Sequence, residues 1–150
     1  MRFRFSLRPL AGLFAVLLSA GLSAPALAAM VQPGVPFGLR LGGEAEIAAT
    51  GVIVRFSEVL EDSRCPINAL CVWSGVLRIA LTVSAGVRDT NDIAVDTLGA
   101  TAEAGGYQFS LLVAKPSRLA DVPIAPEDYG VLILAVETTD CCRLDVPPGK

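Results

Sequence analysis

The chain has 150 residues, more than half of them apolar, with 15 acidic residues, 12 basic residues and no histidine. Without histidine, the commonest general base and the catalytic triads that depend on it are excluded, so the sequence predicts a protein that is not an enzyme. No motif for a cofactor or a metal is present, and we expect neither. The excess of acidic residues also argues against nucleic acid as a partner, because proteins that bind nucleic acid carry basic patches.

The N-terminal segment has the order of a secretory signal peptide. Arg2, Arg4 and Arg8 precede an apolar run at residues 10–22, and small residues follow it up to Ala28. Residues 1–28 therefore predict a helical signal peptide that is cleaved after Ala28. The apolar run is shorter than the roughly 20 residues that span a bilayer, and no later segment is longer, so we expect no membrane insertion after cleavage.

The remainder predicts a single exported domain followed by a tail. Removal of the three leader arginines leaves nine basic residues against fifteen acidic ones, a formal net charge of −6. Residues 29–140 have the length of one domain with one core. Residues 141–150 end in Pro147, Pro148 and Gly149 and predict a flexible tail. We expect the mature protein in the periplasm or outside the cell.

Short segments of alternating polarity dominate residues 29–140. Their period of two residues and their branched and aromatic side chains are typical of β-strands. Glu58 interrupts the apolar face of one segment and predicts a strand end or a bulge there. Seven such segments in about 100 residues favour an all-β fold, either an antiparallel β-sandwich of the Greek-key, immunoglobulin-like kind or a partly open barrel. The seven segments are FGLRL, EAEIA, VIVRFSEVL, WSGVLRIALTV, NDIAVDTL, YQFSLLV and VLILAVE.

The last of these segments and the residues before it carry two further expectations. VLILAVE, residues 131–137, is apolar on both faces, which predicts a strand covered on both sides. The preceding residues 117–130 leave room for one helical turn between prolines. Within them, Tyr129 in PEDYG predicts a tyrosine corner, in which the hydroxyl bonds back to the backbone.

Four cysteines remain after the leader, and in an exported protein they are first interpreted as disulfides. Three pairings are possible. We favour a bridge between Cys65 and Cys71, because it would pin a long connection between two neighbouring strands. A thiol redox pair and a zinc site are disfavoured by the spacing and by the oxidising compartment. Cys141 and Cys142 could bond to each other, bond to another chain or stay reduced.

The residues around the bridge predict a structural role for most of them. Asp62 and Ser63 can accept hydrogen bonds from backbone amides in a turn. Trp73 shares its phase with the following strand, which predicts that its ring faces the core. Gly75 predicts a bulge or a close approach of two backbones.

The stretch EDSRCPINALCVWSG also resembles a known family. Its pattern D-S-R-C-P-x(4)-C-x-W-x-G is similar to that of bacterial exported, lipoprotein-like all-β proteins. The resemblance implies an exported all-β domain and no established activity. The pair Cys141–Cys142 departs from the family pattern, so the resemblance implies nothing about its role.

The function that remains is binding. The sequence predicts a non-catalytic binding or accessory domain for an unknown protein or envelope ligand, with residues 61–75 as a disulfide-stapled loop. A stiffened loop reduces the entropy cost of binding. The alternative is a small protease inhibitor that presents this loop, with Arg64 as a possible contact. The candidate binding residues of the loop are Asp62, Arg64, Pro66, Ile67 and Leu70.

Overall fold

The computed structural model describes residues 28–138, which form nine strands and one short 3-10 helix. The proposed signal peptide, apart from Ala28, lies outside the described residues, as do Cys141, Cys142 and the tail. Within residues 28–138 no helix has the length and apolarity to cross a membrane. The strands are β1 (Ala29–Val31), β2 (Phe37–Arg40), β3 (Glu44–Ile47), β4 (Val52–Asp62), β5 (Leu77–Ala85), β6 (Thr90–Asp96), β7 (Thr101–Ala104), β8 (Tyr107–Lys115) and β9 (Gly130–Glu137).

The strands form two sheets that pack face to face. One sheet has the order β1-β3-β4-β5-β6 and the other has the order β2-β9-β8-β7. All neighbours are antiparallel except β1 and β3, which run parallel. The predicted antiparallel all-β sandwich is therefore confirmed, and the two sheets do not close into a barrel.

Alternation along the strands builds the core. In β4 as far as Phe56, and in β5 as far as Val83, every second residue is buried between the sheets, because successive side chains point to opposite faces. Facing residues of β8 and β9 complete the same apolar cluster. The largest side chains in it are Phe56, Phe109, Ile47, Leu77, Ile79, Leu81 and Ile133.

Three predictions about the strands can now be judged. The register of β4 against β5 shifts between Phe56 and Glu58, which confirms the bulge. The predicted helical turn is the 3-10 helix Pro126–Asp128. Strand β9 is fully buried on only one face, and the prediction of cover on both sides was wrong. Its second face, with Leu132 and Leu134, is half-buried on the outer side of the sheet, where β2 and β8 flank it.

One end of the sandwich brings together parts of the chain that are distant in sequence. Strand β4 ends and β5 begins there, and residues 63–76 connect them. The connection between β8 and β9, residues 116–129, lies at the same end, since Tyr129 contacts Asp62. The candidate functional site lies at this end.

Candidate functional site

Residues 63–76, named the stapled loop from here on, continue the hairpin of β4 and β5 beyond the sheet. The amide of Ser63 donates to the carbonyl of Val76 at 2.8 Å, and the amide of Cys65 donates to the carbonyl of Ser74 at 2.7 Å. The Ser63 hydroxyl accepts a hydrogen bond from the Val76 amide at 3.1 Å. Hydrogen bonds between residues 63–65 and 74–76 therefore hold the two sides of the loop together at its base.

Gly75 permits the close approach at this base. Its φ of 67° lies in the left-handed region, and a Cβ there would stand 1.8 Å from the carbonyl oxygen of Ser63. No other residue fits, since both the conformation and the space require glycine. The predicted close approach of two backbones is confirmed, although Gly75 precedes β5 rather than lying within a strand.

The tip of the loop is closed by a disulfide between Cys65 and Cys71, as predicted. Pro66 is half-buried and begins a turn in which the Ala69 amide donates to the Pro66 carbonyl at 3.1 Å. A closed ring of about seven residues stabilises the fold by roughly 2 kcal/mol through the entropy of the unfolded chain. Such bonds are typical of proteins outside the reducing cytosol.

Two hydrogen bonds join the tip of the loop to the chain between β8 and β9. The amide of Ile67 donates to the carbonyl of Arg118 at 2.9 Å, and the Asn68 side-chain oxygen accepts from the amide of Ala120 at 2.8 Å. Both partners belong to the connection between β8 and β9. The stapled loop is therefore held at its base, at its tip and along its side.

The side chain of Arg64 makes the hydrogen bonds that link the start of the loop to β4 and to the end of β8. Its Nε and Nη2 donate to the two carboxylate oxygens of Asp62, each at 2.8 Å. Its Nη1 donates to the carbonyls of Ala114 and Pro116 at 3.3 and 3.0 Å, across to the second sheet. The side chains of Arg64 and Asp62 are 15% and 9% exposed. The prediction that Arg64 is displayed to a partner was wrong, because its donors are used inside the protein.

Tyr129 completes this cluster from the other sheet. Its hydroxyl donates to Oδ2 of Asp62 at 2.9 Å. The predicted tyrosine corner was wrong in its acceptor, since the hydroxyl bonds to a side chain and not to the backbone. The physical reason is that the end of β4 presents a carboxylate within reach of Tyr129, and a charged acceptor forms the stronger bond.

The three side chains shift one another's ionisation. Burial alone would raise the pKa of Asp62, but the hydrogen bonds from Arg64 and Tyr129 outweigh it and the pKa is lowered. The pKa of Arg64 is raised chiefly by its hydrogen bond to Asp62. Burial, and then the hydrogen bond to Asp62, raise the pKa of Tyr129. All three groups are thus held in their ordinary charge states by one another.

The outer surface of the loop is apolar and exposed. Trp73 was predicted to face the core, and this was wrong: the left-handed turn at Gly75 takes the chain out of the sheet before β5 begins, so the strand phase does not extend to residue 73. Ile67 and Leu70 are displayed as predicted. The exposed fractions of the four large apolar side chains on the loop are 72% for Ile67, 106% for Leu70, 96% for Val72 and 81% for Trp73.

Sequence reasoning missed Arg118. Its Nη1 donates to the carbonyl of Arg64 at 3.2 Å, and it lines a cavity next to the loop. The only signal for it was a basic residue in a connection otherwise rich in apolar residues and prolines. Within residues 28–138, no group of three or more His, Cys, Asp or Glu side chains is arranged to hold a metal ion.

Comparison with known proteins adds no relative. No family model matches the chain, and neither the curated proteins nor the solved structures contain a significant match. The resemblance to exported, lipoprotein-like proteins therefore stays a prediction.

Proposed function

We propose that the protein is an exported, non-catalytic binding or accessory domain whose contact surface is the stapled loop. In this proposal residues 1–28 direct export and are removed, and the domain acts in the periplasm or outside the cell. The single observation that carries the proposal is the exposure of four large apolar side chains on a loop that is fixed at three places.

Exposed apolar side chains on a fixed loop favour binding for an energetic reason. The four side chains lie within seven consecutive residues, and clustered exposed apolar residues mark interaction sites more often than scattered single ones do. Burial of one such side chain contributes about 2 kcal/mol, so four of them offer roughly 8 kcal/mol before the costs of association. Because the disulfide and the Arg64 contacts already order the backbone, little of that gain is lost on ordering the loop. Tryptophan is moreover enriched among the residues that dominate interfaces.

The charge of the loop restricts its partner. No charged side chain occurs from Cys65 to Ser74, whereas Glu61 and Asp121 are exposed nearby. The domain without its leader has a formal net charge of −6. Nucleic acid and anionic lipid are therefore poor partners. An apolar surface on a protein or another envelope component suits the loop better.

The non-catalytic part of the proposal is supported by the chemistry of the cluster. Asp62, Arg64 and Tyr129 have shifted pKa values, which is often a sign of catalysis. Here each shift stabilises the ordinary charge state, and Arg64 and Tyr129 both donate their hydrogen bonds to Asp62. A general base must instead be free to take a proton from a substrate. The cluster therefore acts as a support for the loop.

Photo-crosslinking from the loop tests the proposal. A photoreactive phenylalanine analogue replaces Leu70 in one variant and Val87 in another, and both proteins are expressed with their own leader in the native cell. Val87 is 102% exposed and follows the far end of β5, so it is a control for exposure alone. We expect one adduct of defined mass from position 70 and no such adduct from position 87. The adduct from position 70 should be lost when Trp73→Ala is added to that variant. Equal adducts from both positions, or none from position 70, contradict the proposal.

The protease-inhibitor alternative keeps one supporting observation. Leu70 is fully exposed and adjoins a disulfide, which suits a rigid loop that enters a protease cleft. Since Arg64 is inside the protein, the contact would be apolar and the target a protease with an apolar specificity pocket. Inhibition of a chymotrypsin-like protease that Leu70→Gly abolishes would favour this alternative. Full protease activity at a large excess of the protein would exclude it for that protease class.

A further inference from the structure

A cavity of about 460 Å³ lies beside the stapled loop, between the end of β4 and the connection from β8 to β9. Its walls include Asp62, Arg118, Asp121, Ile124 and Tyr129. We propose that this cavity binds a carboxylate that carries a short apolar tail. Such a group is found on small organic acids and on the C-terminal residue of a polypeptide.

Arg118 provides the cation for this site. It is half-buried, and within residues 28–138 no carboxylate oxygen lies within 4.0 Å of its guanidinium. Arg40, Arg88 and Lys115 likewise lack such a partner, but all three are exposed and solvated. Removal of a cation from water is costly unless an anion or several hydrogen bonds compensate it. Arg118 is thus the described cation whose surroundings best suit an anionic ligand.

The donors of Arg118 are largely free for such a ligand. A guanidinium has five N–H groups in a planar fork, which matches a carboxylate in two parallel hydrogen bonds. The structure commits Nη1 to the carbonyl of Arg64 at 3.2 Å. That bond fixes the orientation of the side chain and leaves other N–H groups of the fork for a ligand.

The other polar groups of the wall do not neutralise Arg118. Asp62 lies in the wall, but both of its oxygens accept hydrogen bonds from Arg64, and Oδ2 also accepts one from Tyr129. Its charge is therefore already compensated. Asp121 is exposed and forms no ion pair within the described range. It is the one wall residue expected to repel an anion.

The apolar residues of the cavity wall would contact the apolar tail of the ligand. Leu119, Val122 and Ile124 line the cavity together with Pro123. A volume of this size is within the range of about 300–1,000 Å³ typical of small-ligand sites. A charged head at Arg118 with an aliphatic tail of a few carbons would use both kinds of wall. This site does not require the stapled loop to bind anything, so the inference goes beyond the proposed function.

Amide chemical shifts of the isotope-labelled protein, recovered after expression with its own leader, test the site. The probes are 3-methylbutanoate and its uncharged amide, 3-methylbutanamide. A second pair is a tripeptide that ends in a free leucine carboxylate and the same tripeptide with a C-terminal amide. We expect the two acids to shift the backbone amide signals of residues 118–122, 124 and 129. The two uncharged amide ligands should bind at least about tenfold more weakly, because a charged hydrogen-bond pair is lost.

Variants assign the effect to named residues. Arg118→Gln should weaken binding of the acids about tenfold or more, and Arg118→Lys should keep part of it, since the charge stays and the fork is lost. Asp121→Asn should tighten binding two- to threefold, roughly the effect of one exposed like charge. Asn tolerates the φ of 61° at this position, so the backbone is retained. Arg88→Gln, a change to an exposed cation in the turn between β5 and β6, is the control and should have no effect.

Each outcome decides the proposal. Binding of both acids supports the shared carboxylate chemistry, and binding of the peptide acid alone assigns the source to a polypeptide terminus. Equal binding of acids and amides, or no shifts at millimolar concentrations, overturns it. If Arg118→Gln unfolds, the comparison of acid with amide on the unaltered protein still decides. Adducts from position 70 are measured separately, so failure of this site and failure of the proposed function are distinguishable.

Discussion

Tyr129 donates a hydrogen bond to Asp62 across the two sheets of the sandwich, over 67 residues of sequence. Asp62 is the last residue of β4, and Tyr129 immediately precedes β9. Arg64 also donates to Asp62, to the carbonyl of Ala114 in β8 and to the carbonyl of Pro116 just after β8. The cluster therefore fixes the stapled loop and also joins the sheets at one end.

The first prediction concerns the strength of this connection. Tyr129→Phe should lower the free energy of unfolding by about 2 kcal/mol, because a hydrogen bond to a charged acceptor is lost. Asp62→Ala should cost about 3–5 kcal/mol, since Arg64 would be left mostly buried without its anion. Urea denaturation measures both. Tyr107→Phe, at the tyrosine outside the cluster, is the control and should cost less; a loss for Tyr129→Phe no larger than for this control would refute the contribution of the bond.

The second prediction concerns acid. The pKa of Asp62 is lowered in the native protein, so its carboxylate contributes stability that is complete above the unfolded pKa of about 3.9. That contribution is lost as the pH falls through the lowered native pKa. Between about pH 5 and pH 2 the unaltered protein should therefore lose stability more steeply than Asp62→Asn. Urea midpoints across this range give the two slopes, and parallel slopes would contradict the role of Asp62.

The third prediction separates space from backbone strain at the loop base. Gly75→Ala should prevent the loop from closing, because the new Cβ would lie 1.8 Å from the Ser63 carbonyl oxygen. Gly86→Ala is the matched control: its φ is 81°, but no atom lies within 4 Å of the added Cβ. The control should cost only about 1–2 kcal/mol of left-handed strain. Equal thermal stability of the two variants would show that Ser63 and Gly75 do not approach closely.

The fourth prediction concerns Trp73, the only tryptophan of the chain. Because its side chain is 81% exposed, its fluorescence should resemble that of tryptophan in water and should be quenched by iodide. A blue-shifted emission that iodide does not quench in the isolated protein would place the ring in an apolar environment and contradict the exposed loop surface.

The strands were predictable where they are long and one face is buried. The alternation is strong in residues 52–56 of β4, 77–83 of β5 and 107–111 of β8, because every second side chain there enters one core. Strand β1 was missed because three residues show too little alternation, and β7 was missed because its only apolar residues are alanines, which are weak strand formers. The start of β5 was placed too early for another reason: residues 73–76 keep the period of two, but Gly75 adopts a left-handed conformation that periodicity does not reveal.

The candidate site was predictable only in its local parts. The disulfide joins residues six apart, and Asp62 and Ser63 accept backbone amides close by in the folded hairpin. The carbonyls that accept hydrogen bonds from Arg64 Nη1 lie 50 and 52 residues away in sequence, and Tyr129 lies 67 residues from Asp62. Such contacts depend on which strands end at the same edge of the sandwich, and this order follows from the packing of the whole core. For that reason Arg64 was predicted to face a partner, and Arg118 was not recognised.

Amide hydrogen exchange in the stapled loop tests the central claim most directly. We expect the amides of Cys65 and Ile67 to exchange far more slowly than in an unstructured peptide, because they donate to the carbonyls of Ser74 and Arg118. The amide of Val87, in the turn at the far end of β5, provides the comparison for an exposed turn. Exchange of Cys65 and Ile67 at the rate of an unstructured peptide, with the disulfide intact, would show that the loop is not preorganised.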